Sequence, residues 1–251
     1  MKLKFAALIV LLLSATLPLI ASAHGETFEV AGGDIEVTSA GQAYASYLAA
    51  PTEGGPYPGI VLIHSFNGLE QGYRTLVDQL AGRGFVVLAV GWQTFEQQPA
   101  DATVQQLVED SAAFLTARED VDPARLGLTG FCAGGRYTML LLPQSESFAA
   151  GVAWYGFPYR GEPAPNTFIG DLSAPLLIIH GTADEASPIA DIYRYATDLT
   201  AAGADFELKV YSGEPHGFML ANGQMREDEV AQDAFEQMAD FFTRKLDAEA
   251  L

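Results

Sequence analysis

Short β-branched apolar runs and amphipathic stretches take turns along this chain from residue 58 onward, and that alternation limits its fold more than any other feature. Residues 58–64 (PGIVLIH), 85–90, 126–131, 148–155, 175–180 and 206–211 read as strands, the first two apolar enough to be buried on both faces. Residues 73–82, 102–118, 135–142, 189–202 and 227–246 read as helices between and after them. Within 102–118, Val104, Leu107, Val108, Ala112 and Leu115 share one helical face. Such a chain closes as an α/β fold: a mostly parallel, doubly wound sheet with helices on both faces. Three further segments, 27–31, 34–39 and 43–48, are expected to form an antiparallel edge. Residues 157–173 are the longest irregular stretch, rich in Pro and Gly and too short for a cap domain.

The first 23 residues stand apart. Lys2 and Lys4 precede an apolar run over 5–13, and Ala21-Ser22-Ala23 is a small-x-small cleavage signal. The run is short for a membrane span, and Pro18 follows it. We therefore expect a signal peptide over 1–23, cleavage after Ala23, and a single domain over 24–251, exported to the periplasm or secreted and free of the membrane. Removing the two lysines takes the formal charge from −19 to −21. An acidic surface of that size argues against nucleic acid, whose phosphates need a basic face. The chain is expected to be a monomer.

A single cysteine rules out an internal disulfide framework and a Cys-rich zinc site. No pair of its four histidines has the HExxH spacing of a metal site, so neither metal nor cofactor is expected. The cysteine stands in Gly130-Phe131-Cys132-Ala133-Gly134-Gly135, between a strand and a helix. That is the G-x-nucleophile-x-G elbow with Cys in place of Ser. The tight turn lifts Sγ above the carboxyl edge of the sheet, and glycines on either side give it room. The helix behind it offers free N–H groups and a partial positive charge.

A nucleophile of this kind needs an acid and then a base later in the chain. Asp184 follows the strand PLLIIH and His216 follows the strand FELKVY, each on a loop at a strand's carboxyl end. Glu185 is the rival acid; the offset of Asp184 from Gly181 and Pro188 favours Asp184. The remaining histidines, His24, His64 and His180, read as structural or without a role. Ala133 N–H and Phe66 N–H are the expected oxyanion-hole donors. Ser65, Trp92, Tyr155 and Phe218 are candidate walls of the substrate pocket. Arg136, on the nucleophile helix, and Arg160, on the irregular stretch, read as solvated surface residues, with contact to an anion as the alternative for either.

Taken together, these segments resemble the dienelactone hydrolase family of α/β-hydrolases over about residues 57–246. The resemblance rests on GFCAGGR (130–136), the Asp184 loop, EPHGF (214–218), WYG (154–156) and HSFNGLEQGYR (64–74). It implies a capless α/β-hydrolase fold in which Cys132, Asp184 and His216 cleave a small lactone, with Phe66 and Ala133 stabilising the oxyanion. Three positions depart from the family pattern. Ser65 stands where the family usually has a Glu that takes the thiol proton. Leu220 stands where family members acting on dienelactone have an Arg for the substrate carboxylate. Residues 90–93 are Val-Gly-Trp-Gln instead of Pro-Asp-Leu-Tyr, and no Arg occurs from 84 to 117. These departures and the negative charge predict a neutral or apolar ester or lactone as substrate, cleaved through an acyl-thioester. The alternative is a binding or thiol-redox protein that keeps the fold without the reaction.

Overall fold

A computed structural model describes residues 27–246; the expected signal peptide lies outside the described residues. The chain opens with a hairpin, β1 (Val30–Ser39) and β2 (Gln42–Pro51). Then come β3 (Tyr57–Ile63), α1 (Gln71–Ala81), β4 (Val86–Val90), α2 (Asp101–Thr116), β5 (Val121–Phe131) and α3 (Ala133–Leu141). β6 (Ala150–Trp154), β7 (Leu176–Gly181), α4 (Ile189–Ala202) and β8 (Phe206–Tyr211) follow. A two-stranded ribbon, β9 (Leu220–Ala221) and β10 (Gln224–Met225), precedes α5 (Glu229–Lys245).

Eight strands form one sheet in the order β1-β2-β4-β3-β5-β6-β7-β8. β1, β2 and β4 pair antiparallel at one edge, and every pair from β4 to β8 is parallel. β3, near the centre, explains why its residues are apolar without a break. Ile60 and Leu62 point into the layer under α1 and α5, while Val61 and Ile63 point into the layer under α2, α3 and α4; all four are fully buried. The helices therefore cover both faces, as the alternating pattern requires. Among the described residues no helix is long and apolar enough to cross a membrane.

The structure corrects the reading of the edge. The segments 27–31 and 34–39 are expected as separate strands, yet β1 runs unbroken through Gly32 and Gly33. At an edge the two glycines interrupt the apolar pattern without ending the ladder. A Cβ at Gly32 would displace the Tyr47 hydroxyl and the Asp78 carboxylate, which hydrogen-bond each other at 2.9 Å. β5 likewise starts five residues earlier than its apolar run, at Val121, because it pairs with Tyr57 before a register shift. The irregular stretch contains a 3₁₀ helix, Pro165–Asp171.

Candidate active site

Cys132 follows β5 directly and caps α3 with φ +57°, a left-handed conformation that a non-glycine residue rarely adopts. The elbow's glycines are sterically required. A Cβ at Gly130 would collide with the carbonyl of Gly134, one at Gly134 with the carbonyl of Ile63, and one at Gly135 with the carbonyl of Trp154. Strain at Cys132 is thus held by close packing between the ends of β3, β5 and β6. The thiol remains partly exposed. Ala133 opens α3, so its N–H has no partner within the helix.

Asp184 lies on the loop after β7 and is buried. Its Oδ1 accepts N–H groups from Ala186 (2.9 Å) and Ser187 (2.7 Å), and its Oδ2 is 2.7 Å from Nδ1 of His216. Burial pushes this carboxyl upward, but His216 and the Ser187 N–H outweigh it and hold the group below its ordinary range. His216 is half-buried on the loop after β8. Burial disfavours its charged form; the Asp184 carboxylate and then the Cys132 thiol outweigh that and raise it to about 9. Its Nε2 is buried with no well-aligned hydrogen-bond partner. Cys132 is close enough to act on its charge. Nε2 is thus left available on the side of the thiol, which suits proton transfer.

The two loops are laced together. Thr182 N–H donates to the Tyr211 carbonyl, Ala183 N–H to Glu214, and Gly213 N–H to the Thr182 hydroxyl. Arg226, at the end of the β9–β10 ribbon, grips the Glu214 carboxylate and the Phe218 carbonyl on either side of His216. The ribbon is absent from the sequence reading. Its turn, Asn222-Gly223, takes positive φ at both residues, and that Asn-Gly pair is the signal that would have found it.

Other residues singled out in the sequence fall into two groups. Tyr155 packs its ring edge-on against His216 at 5.2 Å between centroids. Ser65 is buried, its Oγ accepting the Asn67 N–H at 3.2 Å. Phe66 is 37% exposed, and its carbonyl accepts from Gln93 and Gln97. By contrast, Trp92 is buried between His64 and Tyr137, with Nε1 on the His64 carbonyl at 3.1 Å. Phe218 is buried beneath Tyr155, against Trp154 and Tyr211. Neither reaches the His216 ring. Glu185 is exposed and takes no part in the His216 contact.

His180 is structural, as expected, but three contacts escape the sequence reading. His180, fully buried, donates from Nε2 to the Ser187 carbonyl at 2.8 Å and lies 3.4 Å from Asp184 Oδ2. Burial lowers its pKa, so it stands beside the acid as a neutral ring. Phe157, immediately after WYG, packs its ring at a tilt against His216, 5.4 Å between centroids. Arg136 is not a solvated surface residue. It pairs bidentately with Asp101 (2.7 and 2.9 Å) and donates to the carbonyls of Arg160 and Pro163, tying the 157–163 segment to α3. A groove of about 1300 Å³ between the N-terminal edge, α1 and α5 contains none of Cys132, Asp184 or His216. Among the described residues no cluster of side chains could hold a metal ion.

Residues 44–246 match the Dienelactone hydrolase family. The chain belongs to that family. A relative in Methylorubrum extorquens, named "Putative carboxymethylenebutenolidase", is 32% identical over 84% of this chain and 80% of its own length. The crystal structure of a "Putative Dienelactone Hydrolase" from Klebsiella pneumoniae superposes with a TM-score of 0.77 at 27% identity, covering 86% of this chain and 99% of the other. A dienelactone hydrolase-like promiscuous phosphotriesterase from metagenomic libraries shares the fold, with a TM-score of 0.73 at 18% identity over 86% of this chain and 98% of its own. The protein is accordingly an α/β-hydrolase acting on ester or lactone bonds.

Proposed function

We propose that this family member is an exported cysteine hydrolase of small esters or lactones, with Cys132 as nucleophile, His216 as acid–base and Asp184 as its orienting partner. The observation that carries the reading is the line Asp184–His216–Cys132, with 2.7 Å between the first two and the thiol on a strained elbow. His216 Nε2 takes the Cys132 thiol proton as Sγ adds to the carbonyl carbon. The resulting oxyanion takes hydrogen bonds from the N–H groups of Ala133 and Phe66. Collapse of the adduct expels the alkoxide, which takes a proton from His216, and leaves an acyl-thioester on Cys132. His216 then draws a proton from water as that water attacks the thioester, and returns it to the sulfur as the C–S bond breaks, which frees the acid and restores the thiol. Asp184 holds the imidazole with Nδ1 protonated and favours its charged form.

Short-chain 4-nitrophenyl esters and simple lactones are the first substrates to try. Intact-mass measurement after rapid quenching should find an acyl adduct on wild-type protein and none on Cys132→Ala. Undiminished turnover by Cys132→Ala overturns the assignment. Export is tested separately: protein recovered from the periplasm or medium should begin at His24.

A further inference from the structure

The described residues hold eleven cationic side chains, nine Arg and two Lys. Nine of them lie within ion-pair distance of a carboxylate: Arg74, Arg83, Arg118, Arg125, Arg136, Lys209, Arg226, Arg244 and Lys245. In so acidic a protein an unpaired cation is the exception. Among the described residues there are two, and both rest on aromatic rings. The Arg194 guanidinium sits 4.3 Å from the centre of the Tyr159 ring, on the outside of α4. The Arg160 guanidinium sits 3.9 Å from the centre of the Phe157 ring.

Arg160 differs from Arg194 in what lies next to its platform. The Phe157 ring packs against His216 at 5.4 Å, so the Arg160 charge stands one aromatic ring away from the imidazole. It is also held in place. One guanidinium nitrogen donates to the Ala186 carbonyl at 2.9 Å, in the Asp184 loop, and the Arg160 carbonyl accepts from Arg136 at 2.8 Å. Its residue is exposed, and its remaining N–H donors meet no carboxylate. A fixed guanidinium with open donors beside a reacting centre binds a carboxylate well.

We propose that Arg160 is a specificity-determining residue that receives a negative group of the substrate remote from the scissile carbonyl. The inference rests on the hydrolase reading above and revises the expectation of a neutral substrate. That expectation followed from Leu220 and from the stretch 84–117 without Arg. The cation comes instead from the 157–163 segment, so the charged end of the substrate lies over Phe157 and not toward the β9–β10 ribbon. The substrate class is a half-ester or lactone carrying a carboxylate on a short apolar spacer that can lie along Phe157.

The test compares 4-nitrophenyl hydrogen adipate with its methyl ester, two substrates that differ only in the distal charge. With Arg160→Gln the ratio of kcat/KM for the acid over that for the methyl ester should fall about fivefold, mainly through KM. Arg160→Lys should recover part of it, and Arg194→Gln should leave the ratio where it is. A ratio unmoved by Arg160→Gln, or moved equally by Arg194→Gln, overturns the proposal. If wild-type protein hydrolyses neither ester, the hydrolase reading has failed by itself. Calorimetric titration of the same proteins with monomethyl and dimethyl adipate then decides the role of Arg160 by the same ratio, read as affinity.

Discussion

The carboxyl ends of β3 and of β7–β8 each present a histidine to the same edge of the sheet, and the two rings are driven in opposite directions. His64 is buried between Trp92 and Tyr73, with one polar contact, from Nδ1 to the Ser65 carbonyl at 2.7 Å. Burial dominates and lowers its pKa to about 4. His216 is less buried and has a carboxylate 2.7 Å away, and it rises to about 9. Position at a strand end does not by itself set the charge of a histidine. What decides is whether the loop beside it brings a satisfied carboxylate, as Asp184 is by the Ala186 and Ser187 amides.

Breaking the β7–β8 side should have the largest effects. Cys132→Ala should lower ester hydrolysis roughly a thousandfold or more, measured as kcat/KM on a 4-nitrophenyl ester. Asp184→Asn should cost roughly a hundredfold or more, because the amide no longer favours the charged imidazole or fixes its tautomer. Loss of less than tenfold in Asp184→Asn would mean that Glu185 or His180 can stand in for it.

The two histidines should also leave opposite signatures in stability. His64 has a depressed pKa, so its contribution is present above about pH 6.5 and lost as pH falls toward about 4, by about 3 kcal/mol. Thermal unfolding of wild type should weaken over that window, and His64→Gln should flatten the slope. His216 has a raised pKa, so its contribution is full below about pH 6.5 and is lost as pH rises through about 9. The gap in Tm between wild type and His216→Ala should close at the alkaline end. A gap that widens there would contradict the sign.

Breaking the β3 side at Ser65 should have the smallest effect. Its Oγ accepts one amide, from Asn67, so Ser65→Ala should cost about 1 kcal/mol in stability. Turnover should change less than tenfold. A larger loss of turnover would give Ser65 a chemical task on the thiol side of the site.

Much of this arrangement could be read before the fold was in hand. α4 and β8 fall where the pattern puts them, because Pro188 and Gly203 bracket the helix and the strand alternates Phe206, Leu208 and Val210 with Glu207 and Lys209. Cys132, Asp184 and His216 were legible because each sits on a loop closing a recognisable strand. The contacts of His180, Phe157 and Arg136 were not, since each depends on which loops meet above the sheet. Arg136 looked like a surface residue because its acceptors, Asp101 and the carbonyls of Arg160 and Pro163, lie 24 to 35 positions away. The packing of Trp92 and Phe218 was hidden for a related reason: an aromatic residue near an active-site motif packs equally well below the site as beside it.

The Arg136 side chain has a consequence for how such a protein can change. Gly161 has φ +104°, and a Cβ there would run into the guanidinium, so glycine serves both the bend and the anchor. The segment between that anchor and β7 is fastened twice: Arg136 holds its start to the helix that begins at Cys132, and Ile169 and Ala174 sink into the core further on. Its sequence is therefore free to drift at exposed positions such as Thr167, Asp171 and Ser173, while Gly161, Arg136, Asp101, Ile169 and Ala174 are inherited together.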